Sequence, residues 1–176
     1  DQGSTFDGTG RVVDWWTPED REAFTARTGA LIDQYNGYRP ALLVARAEAA
    51  GEDAAEVPHV NGELTIGENI GDLGGLGIAL KAYRLALAEA GTDSVEDAPV
   101  IDGLSALERF FCSWARIWRG RNRDDYAELL LTIDPHSPSE FRCNGIVRNM
   151  DAFYEAFGVT RDDALWLAPE DRVNIW

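Results

Sequence analysis

The spacing of apolar side chains along the chain predicts a series of helices. The first begins at Thr17-Pro18, where threonine can cap, proline tolerates the first helical position, and Asp20 adds an acid to the first turn. Apolar and small side chains then recur three and four residues apart to about Gly37, a helical period. Residues 41–50 are rich in alanine and favour a second helical segment.

Further segments along the chain carry the same helical signal. A long helix is predicted from about Gly67 to Ala90, with an apolar stripe at Leu73, Leu76, Leu80, Tyr83 and Leu87. Another begins near Ser105, and its predicted core-facing positions are Leu107, Phe110, Phe111, Trp114, Ile117 and Trp118. Shorter helices are predicted over residues 124–131, after Ser137-Pro138, and over residues 148–157. Residues 59–65 suggest a turn with a short extended piece. The pattern therefore predicts a mainly α-helical chain with irregular loops and little strand, forming one domain over residues 1–176.

Composition narrows the classes of partner. The chain has 176 residues, 45% of them hydrophobic, which suffices for a core. A formal net charge of −15 argues against nucleic acid and anionic membranes, because both need clustered Lys and Arg. No run approaches the ~20 apolar residues that span a bilayer, so no membrane contact is expected from this segment. Cys112 lies within an aromatic helical pattern and is predicted to be a buried thiol.

The most distinctive segment, residues 61–77, combines two acids with several glycines. Glu68 and Asp72 are four residues apart, which places them on one face of a helix. Thr65 and Glu68 also match a capping box, so Glu68 has a structural interpretation. The alternative is chemical, because a carboxylate can bind zinc while a second acid accepts the N–H of a metal-bound histidine. By itself, Asp72 also fits a solvated surface acid.

The glycines of this segment suggest a tightly packed helix. Each costs up to about 1 kcal/mol relative to alanine in a helix interior. Close approach of another backbone would offset that cost. The sequence therefore predicts a close neighbour at Gly71, Gly74, Gly75 and Gly77.

A second cluster of polar residues runs from Asp134 to Arg142. Ser137 is predicted to cap a short helix, with His136 just before it and Arg142 about a turn and a half inside. A lone histidine is most often structural, and a lone arginine is most often a salt-bridge partner. Together they suggest an imidazole that stabilises an oxyanion and a guanidinium that holds a peptide carbonyl or carboxylate.

Several motifs in one order resemble the neprilysin-like zinc metallopeptidase family, of the gluzincin type. Asp1-Gln2-Gly3 is similar to the segment that follows the zinc-binding His-Glu-x-x-His helix, and residues 168–176 are similar to the native C-terminus. The resemblance covers almost the whole chain, and the matching motifs between these ends are Val60-Asn61-Gly62, Gly67-Glu68-Asn69-Ile70-Gly71-Asp72-Leu73-Gly74-Gly75-Leu76, Phe110-Phe111-x-x-Trp114-Ala115-x-x-Trp118 and His136-Ser137-Pro138-x-x-Phe141-Arg142.

The resemblance implies a role for each matched residue. Glu68 is similar to the third zinc ligand, and Asp72 to the acid that orients a zinc-bound histidine. His136 is similar to the residue that stabilises the tetrahedral transition state, and Arg142 to the arginine that binds the substrate carbonyl. Trp118 matches a wall of the pocket for the side chain after the scissile bond, although its spacing fits core packing equally well.

The resemblance further implies a fold and a parent enzyme. The chain is similar to the C-terminal helical part of a zincin-type catalytic domain whose complete parent hydrolyses small peptides. In that parent, zinc would activate water and polarise the peptide carbonyl, and a glutamate absent from this chain would take the proton. The chain has no His-Glu-x-x-His and only two histidines, His59 and His136. By itself it is expected to have no peptidase activity and no tight zinc site.

A different class of function fits the same residues. The chain could be a non-catalytic, acidic helical interaction module that retained the fold and lost the chemistry. A His-Glu-x-x-His encoded just before Asp1 would favour the enzyme, whereas an initiation site at Asp1 would favour the module. As an enzyme fragment, its partners would be a peptide substrate and the missing N-terminal part of the same protein. The glycine-rich helix would then have an uncovered face, and we expect an exposed apolar patch there or self-association that covers it. Arginine-heavy composition without a signal pattern favours a cytoplasmic bacterial parent.

Overall fold

The computed structural model describes residues 5–175. The sequence matches at Asp1-Gln2-Gly3 and at Trp176 therefore lie outside the described residues. The chain is mainly helical, as the sequence predicts, and residues 5–175 form no β-strand beyond two isolated bridges. Its helices are α1 (Pro18–Asn36), α2 (Ala41–Ala50), α3 (Gly62–Glu89), α4 (Ala106–Ile117), α5 (Asp124–Ile133), α6 (Ser139–Val147) and α7 (Asp151–Phe157), with short 3-10 turns at Ala54–Glu56 and Pro169–Asp171.

The chain divides into two compact units that share α3. One unit contains the chain up to Gly71, Asn122–Pro138 and Ile175, and the other contains Asp72–Arg121 and Ser139–Asn174. We refer to them as the first and second units.

The first unit is built around α1 and α2. The Thr17 side chain caps α1 by accepting a hydrogen bond from the backbone N–H of Asp20 at 3.1 Å, as predicted. The core of this unit includes four side chains that are almost wholly buried, namely Leu31, Tyr35, Leu43 and Val60. Burial of each such side chain contributes about 1.5–3 kcal/mol, so this core anchors the start of α3.

The second unit buries two groups of side chains: the predicted apolar stripe of α3, and an aromatic cluster between α4 and α7. Leu73, Leu76 and Leu80 are buried, as the spacing predicted. The rings of Phe111 and Phe153 meet edge to face at 5.7 Å. These contacts fix the helices that carry the polar residues of this unit.

The start of α3 differs from the sequence prediction. The helix begins at Gly62 rather than near Gly67, because Asn61 caps it through a hydrogen bond from Leu64 N–H at 3.0 Å. Thr65 consequently lies inside the helix, where its hydroxyl donates to the backbone carbonyl of Asn61 at 3.0 Å. The capping-box interpretation of Glu68 is therefore wrong, because Thr65 is not the residue before the helix.

One face of α3 is open to solvent. Gly75, Ile78, Ala82 and Leu85 are all exposed and recur three and four residues apart, and we call them the α3 open face. At Gly71, Gly75 and Gly77, an added β-carbon would meet no heavy atom within 4 Å. The described residues therefore do not supply the close neighbour predicted for these three glycines.

Two smaller predictions are also corrected. Ile117 was expected to face the core but is 68% exposed, since it lies in the last turn of α4. Cys112 was expected to be buried and is exposed. Among the described residues, none of the helices combines the length and apolar character that a membrane span requires.

Candidate active-site residues

Glu68 and His136 meet in the first unit. Glu68 lies in the second turn of α3, and His136 lies in the loop between α5 and α6. The imidazole Nε2 is 3.3 Å from Glu68 Oε2, and each side chain is 45% exposed. Residues far apart in sequence thus present a carboxylate and an imidazole together at a solvent-accessible position.

Asp134 holds the imidazole of His136 from the other side. Its Oδ1 atom accepts hydrogen bonds from the backbone N–H of His136 at 2.9 Å and from Nδ1 at 2.7 Å. An ionised carboxylate only accepts, so Nδ1 carries the proton in this bond. In its protonated form the ring has a second N–H, on Nε2, directed toward Glu68. Sequence reasoning assigned no role to Asp134, although Asp side chains often accept a hydrogen bond from the backbone N–H two residues on.

A buried hydrogen bond lies directly beside the contact between Glu68 and His136. The hydroxyl of Ser137 donates to Oδ1 of Asn69 at 2.8 Å. Both residues are buried, and each immediately follows one member of the exposed pair in sequence. Apart from its place in the family motif, Asn69 carries no functional signal in the sequence. Ser137, predicted as a helix cap, lies two residues before the start of α6.

Asp72 and Arg142 form an ion pair in the second unit. Arg142 Nε donates to Asp72 Oδ2 at 2.7 Å, and Nη2 donates to Oδ1 at 2.8 Å. The side chains are only 10% and 17% exposed, so this bidentate pair is largely shielded from solvent. Asp72 is thus not the solvated surface acid that its sequence position also allowed.

Trp118 completes this cluster. The guanidinium carbon of Arg142 lies 4.1 Å from the centre of the Trp118 ring, which is a cation–π arrangement. Trp118 is half-buried and meets Trp114 edge to face at 5.2 Å. Its indole N–H is buried without a hydrogen-bond partner among the described residues. The ring therefore restrains Arg142 on one side, while Asp72 fixes it through two hydrogen bonds.

The residues present fit zinc only as contributors to a larger ligand set. Glu68 has a half-exposed carboxylate, a suitable single ligand. A catalytic zinc needs three protein ligands. Within residues 5–175, no group of three His, Cys, Asp or Glu side chains is arranged to hold a metal ion.

Comparisons with known proteins identify the class of protein. The sequence profile described as Peptidase family M13 matches residues 1–173. The chain therefore belongs to peptidase family M13, and the predicted resemblance to neprilysin-like zinc metallopeptidases is confirmed.

Individual relatives agree with that membership. The chain is 32% identical over 174 residues to neutral endopeptidase of Lactococcus lactis subsp. lactis (strain IL1403), covering 99% of this chain and 23% of that protein. It is 32% identical to human neprilysin, covering 100% of this chain and 21% of that protein. The crystal structure of Mycobacterium tuberculosis zinc metalloprotease ZMP1 in complex with inhibitor matches with a TM-score of 0.86 and 56% identity, covering 100% of this chain and 25% of that chain. The chain thus spans between a fifth and a quarter of the length of these relatives.

Proposed function

We propose that this chain is the C-terminal part of the catalytic domain of a zinc metalloendopeptidase that hydrolyses peptide bonds of small peptides. Membership of family M13 and the names of its relatives support the reaction class. The observation that carries the proposal is the 3.3 Å approach of His136 Nε2 to Glu68 Oε2. It joins a suitable metal ligand to a suitable proton donor, each at a position that the family motif predicts.

Glu68 has the role of a zinc ligand in this proposal. Its carboxylate is on the regular part of α3, and the helix backbone keeps its position well defined. Zinc bound in such a site supplies Lewis-acid activation of a water molecule and of the peptide carbonyl. The remaining ligands and the general base would come from the missing N-terminal part of the same protein.

His136 has the role of stabilising the tetrahedral transition state. Asp134 restrains both the backbone and the ring, so the Nε2 atom keeps one direction without reorganisation. A proton on Nε2 can then be donated to an oxyanion that develops on the scissile carbonyl. A pre-oriented donor of this kind is typically worth about 2.7–4 kcal/mol of barrier.

Arg142 has the role of binding a substrate carbonyl, and Trp118 that of a pocket wall. The pair with Asp72 is made through Nε and Nη2, and a guanidinium has five N–H donors in all. The contact with the Trp118 ring restrains the guanidinium on one side. Asp72 has the proposed role of orienting a zinc-bound histidine, since each carboxylate oxygen has a second lone pair beside the one used by Arg142.

The chain alone is proposed to lack peptidase activity and a tight zinc site, because one carboxylate cannot hold catalytic zinc. The test is to express the gene from its own initiation site and to measure zinc per chain together with cleavage of a quenched fluorescent peptide. Glu68→Gln should lose both zinc and cleavage. Glu63→Gln, which changes an exposed acid on the same helix, is the matched control and should retain both.

Two results would overturn the proposal. Expression from the true start without zinc or cleavage would favour the non-catalytic module. Robust zinc-dependent cleavage by the purified 176-residue chain would refute the claim that it is inactive alone.

A further inference from the structure

We propose that Asn69 is a positioning residue, which holds the His136 loop against α3 through a directional chain of buried hydrogen bonds. These hydrogen bonds run from Ser137 through Asn69 and Thr65 to the backbone carbonyl of Asn61. They set the geometry of His136, and only the catalytic consequence of that geometry rests on the proposed function.

The side chain of Asn69 joins two parts of the first unit. Its Oδ1 accepts from the Ser137 hydroxyl at 2.8 Å, and its Nδ2 donates to the Thr65 hydroxyl at 3.0 Å. Thr65 in turn donates to the carbonyl oxygen of Asn61 at 3.0 Å. Asn69 is 0% exposed, and Thr65 and Ser137 are each 3% exposed. The loop that carries His136 is therefore connected to α3 by polar contacts from which water is almost excluded.

The direction of the chain follows from its last acceptor. A backbone carbonyl cannot donate, so the Thr65 proton must point to Asn61. The Thr65 oxygen is then the acceptor for Asn69, which requires the amide nitrogen of Asn69 on that side. The amide oxygen must consequently face Ser137, which has to be the donor. This sequence of donors leaves one orientation for each side chain.

Burial gives the arrangement its strength. A buried polar group without a partner is destabilising, so breaking any single bond also penalises the group left behind. Asparagine is a weak helix former, and Leu or Ala in its place would favour the helix more. Its presence inside α3 is therefore explained by the hydrogen bonds and not by helix propensity.

The buried bond fixes the exposed pair beside it. Asn69 follows Glu68, and Ser137 follows His136, so the 2.8 Å bond holds the backbones that carry the 3.3 Å contact. The exposed contact is open to solvent, where an ion pair contributes little by itself. The buried bond is thus the part of the arrangement that can define the position of His136.

The test uses nitrogen-15 imidazole spectra of the 176-residue chain, with His59 as an internal reference because the chain has only two histidines. Asn69→Leu and Ser137→Ala should shift the ring signals of His136 and leave those of His59 unchanged. The exchange rate of the His136 Nδ1 proton should rise about fivefold, the factor expected for loss of one hydrogen bond of ordinary net strength. Ser137→Thr keeps the hydroxyl and should restore the wild-type spectrum.

The matched control is Asn149→Leu in the second unit. Asn149 is also buried, and its side chain makes two hydrogen bonds of 2.8 Å, to Gly145 O and from Val173 N–H. This variant should lower stability without moving the His136 signals. Unchanged His136 signals in Ser137→Ala, or an equal change in Asn149→Leu, would overturn the proposal. The spectra require neither zinc nor substrate, so this outcome is separate from failure of the proposed peptidase function.

Discussion

Removing the guanidinium of Arg142 is expected to destabilise the chain strongly. In Arg142→Ala the Asp72 carboxylate, 10% exposed, loses two charge-assisted hydrogen bonds. Loss of one partner of a buried ion pair costs about 3–5 kcal/mol, mainly because the other charge stays buried. The contact with Trp118 adds about 0.5–2 kcal/mol that alanine also loses. We therefore expect a loss in the free energy of unfolding of at least about 3 kcal/mol.

Arg142→Lys separates charge from geometry. Lysine keeps the positive charge but not the planar fork that donates to both oxygens of Asp72. It should cost about 1.5–3 kcal/mol, the range for one hydrogen bond to a charged group. A double-mutant cycle that combines Arg142→Ala with Asp72→Ala should return a coupling energy above about 1 kcal/mol, since the two residues are in direct contact.

The assay is urea unfolding at pH 7, followed by tryptophan fluorescence and far-UV circular dichroism. The matched control is Arg46→Ala, whose 2.7 Å pair with Glu128 has side chains 41% and 43% exposed. An exposed pair of this kind contributes about 0–1 kcal/mol. If Arg142→Ala and Arg46→Ala cost the same, burial does not set the strength of these pairs and the reasoning fails.

Three further predictions concern other parts of the chain. The pKa of Glu108 is held below its ordinary 4.5, mainly by the Ser105 backbone N–H and secondly by the Ser105 side chain. The carboxylate therefore stabilises the fold fully above about pH 4.5, and this contribution is lost as the pH falls through the lower folded-state pKa. Urea unfolding at pH 3–5 should therefore depend less on pH in Glu108→Gln, and identical pH dependence would count against this cap. Cys112 is exposed, whereas burial raises the pKa of the Cys143 thiol, so N-ethylmaleimide should label Cys112 faster than Cys143. Mass spectrometry follows the labelling, with Cys112→Ser and Cys143→Ser to identify each site, and equal labelling rates would contradict the difference in burial. The α3 open face should cause concentration-dependent self-association in sedimentation, which Ile78→Asp should reduce; a wild-type chain that stays monomeric would show that the face needs no cover.

The apolar period of the sequence was sufficient to predict most of the helices. The cap at Thr17 and the stripe at Leu73, Leu76 and Leu80 are local signals, and the structure confirms both. The start of α3 was misplaced because an Asn-Gly pair also favours a turn. Asn61 instead caps the helix, and Asn36 accepts a hydrogen bond from the Gly62 N–H at 2.8 Å, a contact that only the tertiary fold supplies.

In the candidate site, the sequence indicated the main residues but not the partners that the fold brings to them. Residue type and family motif together pointed to Glu68 and His136, and the structure brings their side chains within 3.3 Å. Their partners depend on contacts between distant segments, so the bonds made by Asn69 and Arg142 could not be predicted from local spacing. Ile117 was misassigned because a helical period shows which positions share a face but not where a helix leaves the core.

The close contact between α1 and the beginning of α3 limits where α3 can lie. At Gly62 the helix lies so close to α1 that a β-carbon would overlap the backbone carbonyl oxygen of Ile32. With a rise of about 1.5 Å per residue, Glu68 lies about 9 Å farther along the same rod. Even a single methyl group at position 62 would therefore push or tilt the rod and displace the distant carboxylate with it. The position of the Glu68 carboxylate therefore depends on the absence of a side chain at Gly62, six residues earlier.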